Sequence, residues 1–92
     1  MQKRRVVITG MGAVTPLGLN LQESWSAVRA NQCGIGPITQ YDTSEQKVTL
    51  AGEVKNFDPT AAIDKREVRK LDRYTQFALT ASDEAMKQSG LC

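Results

Sequence analysis

The run Arg4-Arg5-Val6-Val7-Ile8-Thr9, followed at once by Gly10-Met11-Gly12, constrains the fold of this chain more than any other stretch. Consecutive β-branched residues favour extended backbone, and the glycines directly after them end the strand in a tight turn. A strand that is apolar on both faces is buried on both, as in parallel or mixed sheets. Asn20 then stands three residues before Glu23, the spacing of an N-cap and its capping-box partner. Leu21, Trp25 and Val28 recur on one face. These signals predict a helix over about 21–31, ended near Gly34, with Trp25 in the core. The order of strand, glycine turn and helix makes the fold class α/β.

Residues 34–47 are rich in Gly, Pro, Asp, Thr and Ser, with Ile35, Ile38 and Tyr41 as apolar anchors, and predict an irregular connection. Val48 to Val54 predicts a second strand weakened by Gly52. Asp58-Pro59 has the form of an N-cap followed by proline at the first helical position, so a short helical turn is expected there. Asp64 and Glu67 repeat the capping-box spacing and open the longest predicted helix, about 65–89, with Gly90 as its stop. No internal repeat or linker divides the chain, and 92 residues allow one core at most.

Gly10 and Gly12 supply the first two glycines of a dinucleotide-binding G-x-G-x-x-G, but the third position is Thr15. Pro16 follows, and the helix starts only near Leu21, so no helix N-terminus stands where a pyrophosphate needs one. Glycines that permit positive φ and close backbone approach are the structural alternative, and the better one.

Charge is more informative. Twelve Lys and Arg against ten Asp and Glu leave a formal +2, too small an excess to argue for nucleic acid or membrane binding. Lys3, Arg4 and Arg5 form one basic group and Lys65, Arg66, Arg69, Lys70 and Arg73 another, while residues 6–64 hold three basic and six acidic residues. On a continuous helix the second group spans an arc of roughly 140°. Val68, Leu71, Tyr74, Ala78 and Ala85 fall opposite it, and Asp64, Glu67 and Asp72 lie outside it. The pattern leaves two readings open: a solvated helix face, or a surface for an acidic protein or phosphate. The arc has no aromatic residue on which a base could stack, which argues against nucleic acid.

A catalytic thiol needs a base, and the chain contains no histidine, so neither Cys33 nor Cys92 is expected to be a nucleophile. Cys33 is expected to be a small, partly buried residue at a helix end. Two isolated cysteines make no zinc motif, and no metal or cofactor is expected. The apolar run Val6-Val7-Ile8 is too short for a signal peptide or a membrane span, so the expectation is a cytoplasmic protein with both cysteines reduced.

The opening Arg4-Arg5-Val6-Val7-Ile8-Thr9-Gly10-Met11-Gly12-Ala13-Val14-Thr15-Pro16-Leu17-Gly18 closely resembles the start of the elongating β-ketoacyl-[acyl carrier protein] synthases. Trp25, Gly34-Ile35-Gly36, Phe57 and the run Asp64-Lys65-Arg66-Glu67-Val68-Arg69-Lys70-Leu71-Asp72-Arg73-Tyr74 fit the same family in the same order. The resemblance spans essentially the whole chain and is nearest to the bacterial synthase II type. It implies that residues 1–92 are the N-terminal segment of the enzyme's N-terminal domain, within a thiolase-like fold layered αβαβα when complete, and that the complete enzyme is a homodimer.

The resemblance further implies an acyltransferase that loads an acyl chain on a cysteine, decarboxylates malonyl-[acyl carrier protein] and joins the two in fatty-acid elongation. The nucleophile motif Thr-Ala-Cys and both histidines of that family belong downstream of these residues, and where Cys33 stands the family more often has serine. No catalytic residue therefore carries over. The family's basic helix docks the acidic acyl carrier protein, and the matching positions are Arg66, Arg69 and Lys70, with Lys65 adjacent. A non-catalytic carrier-binding fragment and the start of a polyketide ketosynthase or chain-length partner are the alternatives.

Overall fold

Asn20 caps the first helix as its sequence predicts. In the computed structural model, which describes residues 3–91, helix α1 runs Leu21–Arg29. The Glu23 amide donates to Asn20 Oδ1 at 2.8 Å, and the Glu23 carboxylate accepts from the Leu19 amide at 3.0 Å. Strands β1 (Ile35–Pro37) and β2 (Leu50–Gly52) follow, then a single 3₁₀ turn Pro59–Ala61, helix α2 (Lys65–Val68) and helix α3 (Arg73–Ser89). Asp58 caps the 3₁₀ turn by accepting from the Thr60 amide at 3.0 Å, with proline at the first position. Gly90 ends α3 at φ +76°, the left-handed conformation that glycine adopts without steric cost.

The opening segment departs from expectation. No strand lies beside residues 4–9 among the described residues, and Val6, Val7 and Ile8 are 92%, 70% and 80% exposed rather than buried. Beyond them the chain lies along α3. The Met11 amide donates to Gln88 Oε1 at 2.8 Å and the Ala13 amide to Glu84 Oε1 at 3.0 Å. The same Glu84 carboxylate also accepts the Leu21 amide at 3.1 Å, so one side chain of α3 ties the opening segment to the start of α1.

Between these ties, Thr15–Gly18 closes a turn with reciprocal backbone hydrogen bonds of 2.9 and 3.2 Å. The Thr15 hydroxyl accepts from the Leu17 and Gly18 amides and shares a 2.7 Å hydrogen bond with the Ser24 hydroxyl. This turn packs on the Ser24 and Ala27 side of α1, and both residues are buried. Trp25 therefore points away from the packed side and is 59% exposed, contrary to its expected core position.

The segment read as irregular contains β1. It pairs antiparallel with β2 in the register Ile35↔Gly52, Gly36↔Ala51, Pro37↔Leu50, so only three residues of the predicted 48–54 strand are in the sheet. Glu53 fastens the loop between the strands, accepting from the Thr39 amide at 2.9 Å, the Thr39 hydroxyl at 3.0 Å and the Gln40 amide at 3.2 Å. These bonds, the Thr39 amide foremost, hold its carboxyl below the usual carboxylate range.

The predicted 65–89 helix is two helices. Asp72 has extended backbone, φ −66° and ψ 158°, and stands as the N-cap of α3. Its side chain makes no capping hydrogen bond; the break lies in its extended backbone, whose carbonyl takes the first α3 bond, from the Gln76 amide at 3.1 Å. The expected apolar face is divided accordingly: Val68, Leu71 and Ala85 are half-buried, whereas Tyr74 and Ala78 are exposed.

A self-contained domain of this length has a radius of gyration of about 12 Å, but here it is 16.6 Å. A folded monomer of this mass exposes roughly 5,300 Å², and this chain exposes 7780 Å². Among the described residues Ala27 and Ile63 are the buried apolar ones. The segment is spread as a layer rather than closed round a core.

Candidate functional site

The cations singled out from the sequence fall into a group of four and one apart. Asp64 accepts the Arg66 amide at 3.0 Å and starts α2, whose four residues bring Lys65 and Arg66 onto one turn. Arg69 continues in helical conformation, φ −65° and ψ −22°, and the Lys70 amide bonds back to the Glu67 carbonyl at 3.0 Å. The local helical geometry therefore persists to Lys70 and keeps Lys65, Arg66, Arg69 and Lys70 on one outward side. All four are exposed.

Asp64, Lys65, Arg66 and Arg69 line a shallow depression of about 470 Å³. Among the described residues the ion pair is Lys87 with Asp83, 2.9 Å apart, and none of the four has a carboxylate within 4.0 Å. Asp64, beside Lys65, is turned to the backbone as a cap, and Glu67, inside the run and exposed, forms no ion pair with the four.

Arg73, the fifth member of the expected arc, lies beyond the break. Its Nη2 donates to the Val54 carbonyl at 2.9 Å, and its guanidinium carbon stands 5.1 Å from the centroid of the Phe77 ring. Phe77 in turn meets Phe57 edge to face, centroids 4.9 Å apart. Arg73 therefore anchors the 54–57 loop to α3 instead of extending the cationic face. The 140° arc required one continuous helix, and the Asp72 cap removes it. Gln76, which the sequence reading passed over, donates from Nε2 to the Val68 and Leu71 carbonyls at 3.2 and 3.1 Å. Its position has meaning only once the break at Asp72 is known.

The glycine turn has a structural use. A Cβ at Gly10 would stand 2.8 Å from the Ser89 amide nitrogen, and one at Gly12 would lie against the Ala81 carbonyl with the Ala85 amide at 3.0 Å. The two glycines let the opening segment rest on Ala81, Ala85 and Ser89, one small residue per turn of α3. Neither has positive φ, so close approach is the reason for them.

Cys33 is a free, exposed thiol, not partly buried as expected, and Ile35 O lies 3.9 Å from its sulfur. The expectation for Cys92 lies outside the described residues. Among the described residues no group of three or more His, Cys, Asp or Glu could hold a metal ion, and no helix is long and apolar enough to cross a membrane.

The model of the β-ketoacyl synthase N-terminal domain matches residues 3–92. The chain belongs to the β-ketoacyl synthase family. It is 44% identical over 91 residues to a 3-oxoacyl-[acyl-carrier-protein] synthase 2 of Synechocystis sp., covering 99% of this chain and 22% of that protein. It is 47% identical over 90 residues to the synthase 2 of Staphylococcus aureus, again over 22% of the relative. A solved structure, the ishigamide ketosynthase/chain length factor, superimposes with a TM-score of 0.89 at 33% identity over 99% of this chain and 23% of that one. The layer described above is thus an N-terminal part of the thiolase-like fold. The chain spans about a fifth of the length of the curated relatives it matches, 22% in each case.

Proposed function

We propose that these residues are the N-terminal segment of a 3-oxoacyl-[acyl carrier protein] synthase, an acyltransferase that condenses an acyl-enzyme with malonyl-[acyl carrier protein] in fatty-acid elongation. Within it, Lys65, Arg66, Arg69 and Lys70 dock the acidic carrier protein. The observation that carries the docking role is four exposed cations within residues 65–70, at α2 and the turn after it, with no carboxylate partner among the described residues, an array that an acidic helix complements. The identity to synthase 2 proteins, whose names specify an acyl-carrier-protein substrate, supports the reaction class.

The chemistry belongs to residues outside these 92: the family's cysteine nucleophile and two histidines have no counterpart here. The complete enzyme is read as a cytoplasmic homodimer without a cofactor.

Calorimetric titration of acyl carrier protein into the intact protein at low and high salt tests the docking role. Salt-sensitive binding, weakened at least about tenfold by alanine at Arg66, Arg69 and Lys70 together, is expected. Binding that ignores both salt and the three substitutions refutes it. The likeness to a ketosynthase/chain length factor structure favours a second reading, a polyketide ketosynthase or its chain-length partner. Product analysis of the intact protein with malonyl-[acyl carrier protein] separates the two: a β-ketoacyl product extended once per primer marks the fatty-acid enzyme, and iterated poly-β-keto chains mark the other.

A further inference from the structure

The turn that carries the four cations is too short to hold itself in place. Four residues lie far below the length at which a helix is stable alone, and α2 ends within a turn of its start. The Lys70 and Leu71 amides bond back three residues, to the Glu67 and Val68 carbonyls at 3.0 and 3.3 Å, so Val68 already has one donor, and no further helical turn follows to cover the Leu71 carbonyl. Gln76 supplies what the helix lacks. From the first full turn of α3 its side chain reaches back across the break, and Nε2 donates to the carbonyls of Val68 and Leu71. Both acceptors are backbone oxygens, so the amide nitrogen, not the amide oxygen, must face them. Gln76 is half-buried, so losing these bonds leaves its partners only partly open to water.

We propose that Gln76 is a positioning residue of the docking turn: its amide fixes the C-terminal end of α2 to α3, as the Asp64 cap fixes the other end, so that Lys65, Arg66, Arg69 and Lys70 meet the carrier protein as a preset array. The proposal rests on the docking role above. A preset array loses less conformational freedom on binding than a loose one, so the effect is on affinity and not on which partner binds.

Two substitutions in the intact protein test it. Gln76→Met keeps the length of the side chain and removes the donor. Affinity for acyl carrier protein falls about fivefold, the worth of about one hydrogen bond. Amide exchange at Lys70 and Leu71 quickens, and the dependence of affinity on salt becomes shallower because the cations no longer engage together.

Gln76→Glu turns a carboxylate toward the two carbonyls and weakens binding further at about pH 8. Towards about pH 5 that carboxyl, whose ionisation the carbonyls oppose, takes up a proton and donates again, and affinity recovers to or above that of the Met variant. Glu67, Arg69, Lys70, Asp72 and Arg73, the charged residues of the helix ends that Gln76 joins, are common to the variants and the wild type, which therefore gives the baseline at each pH. Wild-type affinity in Gln76→Met, or unchanged amide exchange at α2, overturns the proposal. If alanine at Arg66, Arg69 and Lys70 abolishes binding while Gln76→Met does not weaken it, the docking role stands and the positioning role falls. If neither change weakens binding, both fall.

Discussion

Gly12 lies so near the backbone of α3 that a single methyl group decides whether the opening segment can rest there. The atoms that an added Cβ would meet are the Ala81 carbonyl and the Ala85 amide, which no rotamer change can move away. Gly12→Ala is expected to destabilise the intact protein by about 1–3 kcal/mol in urea unfolding. Gly36→Ala, whose added Cβ finds only Lys55 Nζ at 4.0 Å, is expected to shift stability by less than about 0.5 kcal/mol. Equal losses would show that close approach is not what Gly12 provides. The need for small residues at 10 and 12 was legible in the sequence, because a G-x-G not followed by a helix N-terminus leaves backbone approach as its use. The other side of the contact was not. Ala81, Ala85 and Ser89 lie about seventy residues away in an ordinary helical repeat, and nothing local marks them as a groove. The same distance hid Glu84, whose carboxylate gathers the Ala13 and Leu21 amides.

At the scale of elements, ends were read better than interiors. Asn20, Asp58, Asp64 and Gly90 each start or stop a helix or helical turn where the sequence places them, since a cap depends on residues within four of itself. The break at Asp72 was missed for the opposite reason. The charge and apolar periodicity through 65–89 is continuous, and Asp72 overrides it without a capping-box partner to announce the new start. The opening strand and Trp25 were misplaced because burial is set by what packs against an element, which periodicity does not contain.

The strand pair formed where turn-rich composition had hidden it, and its loop carries a titratable tie. The Glu53 carboxyl is held below its ordinary range by the Thr39 and Gln40 amides, so its contribution to the hairpin is present at neutral pH and is lost as the pH falls through that lowered value. Protection factors of the Thr39 and Gln40 amides, taken against intrinsic exchange at each pH, should fall between about pH 5 and pH 3 in the wild type, whereas Glu53→Gln should show no such step in that range. Protection at these amides that is independent of pH in the wild type would contradict the tie.

For the molecule as a whole, 7780 Å² of exposed surface and a 16.6 Å radius of gyration describe a spread segment with exposed apolar residues, not a domain closed on its own core. Val6, Val7, Ile8 and Trp25 all contribute to that surface. The 92 residues in isolation are expected to bind an apolar dye strongly and to sediment as aggregates or oligomers, because patches of this extent do not remain in water unpaired. Monomeric sedimentation without dye binding would show that the layer closes in solution. The family was legible from ordered motifs along the whole chain, and a basic cluster was legible from charge, which alone left a solvated face and an acidic-partner surface both open. The basic group is smaller than its sequence suggests, four exposed cations together rather than five, with Arg73 bonded to the Val54 carbonyl and set against Phe77.

The central claim is that this segment holds a carrier protein without accepting its cargo. Mixing the intact protein with acyl-[acyl carrier protein], then following complex formation by salt-dependent binding and the peptide that carries Cys33 by mass after proteolysis, tests both halves at once. The account predicts a salt-sensitive complex in which the peptide that carries Cys33 keeps its unmodified mass. A stoichiometric acyl adduct on Cys33, abolished by Cys33→Ser, would contradict it.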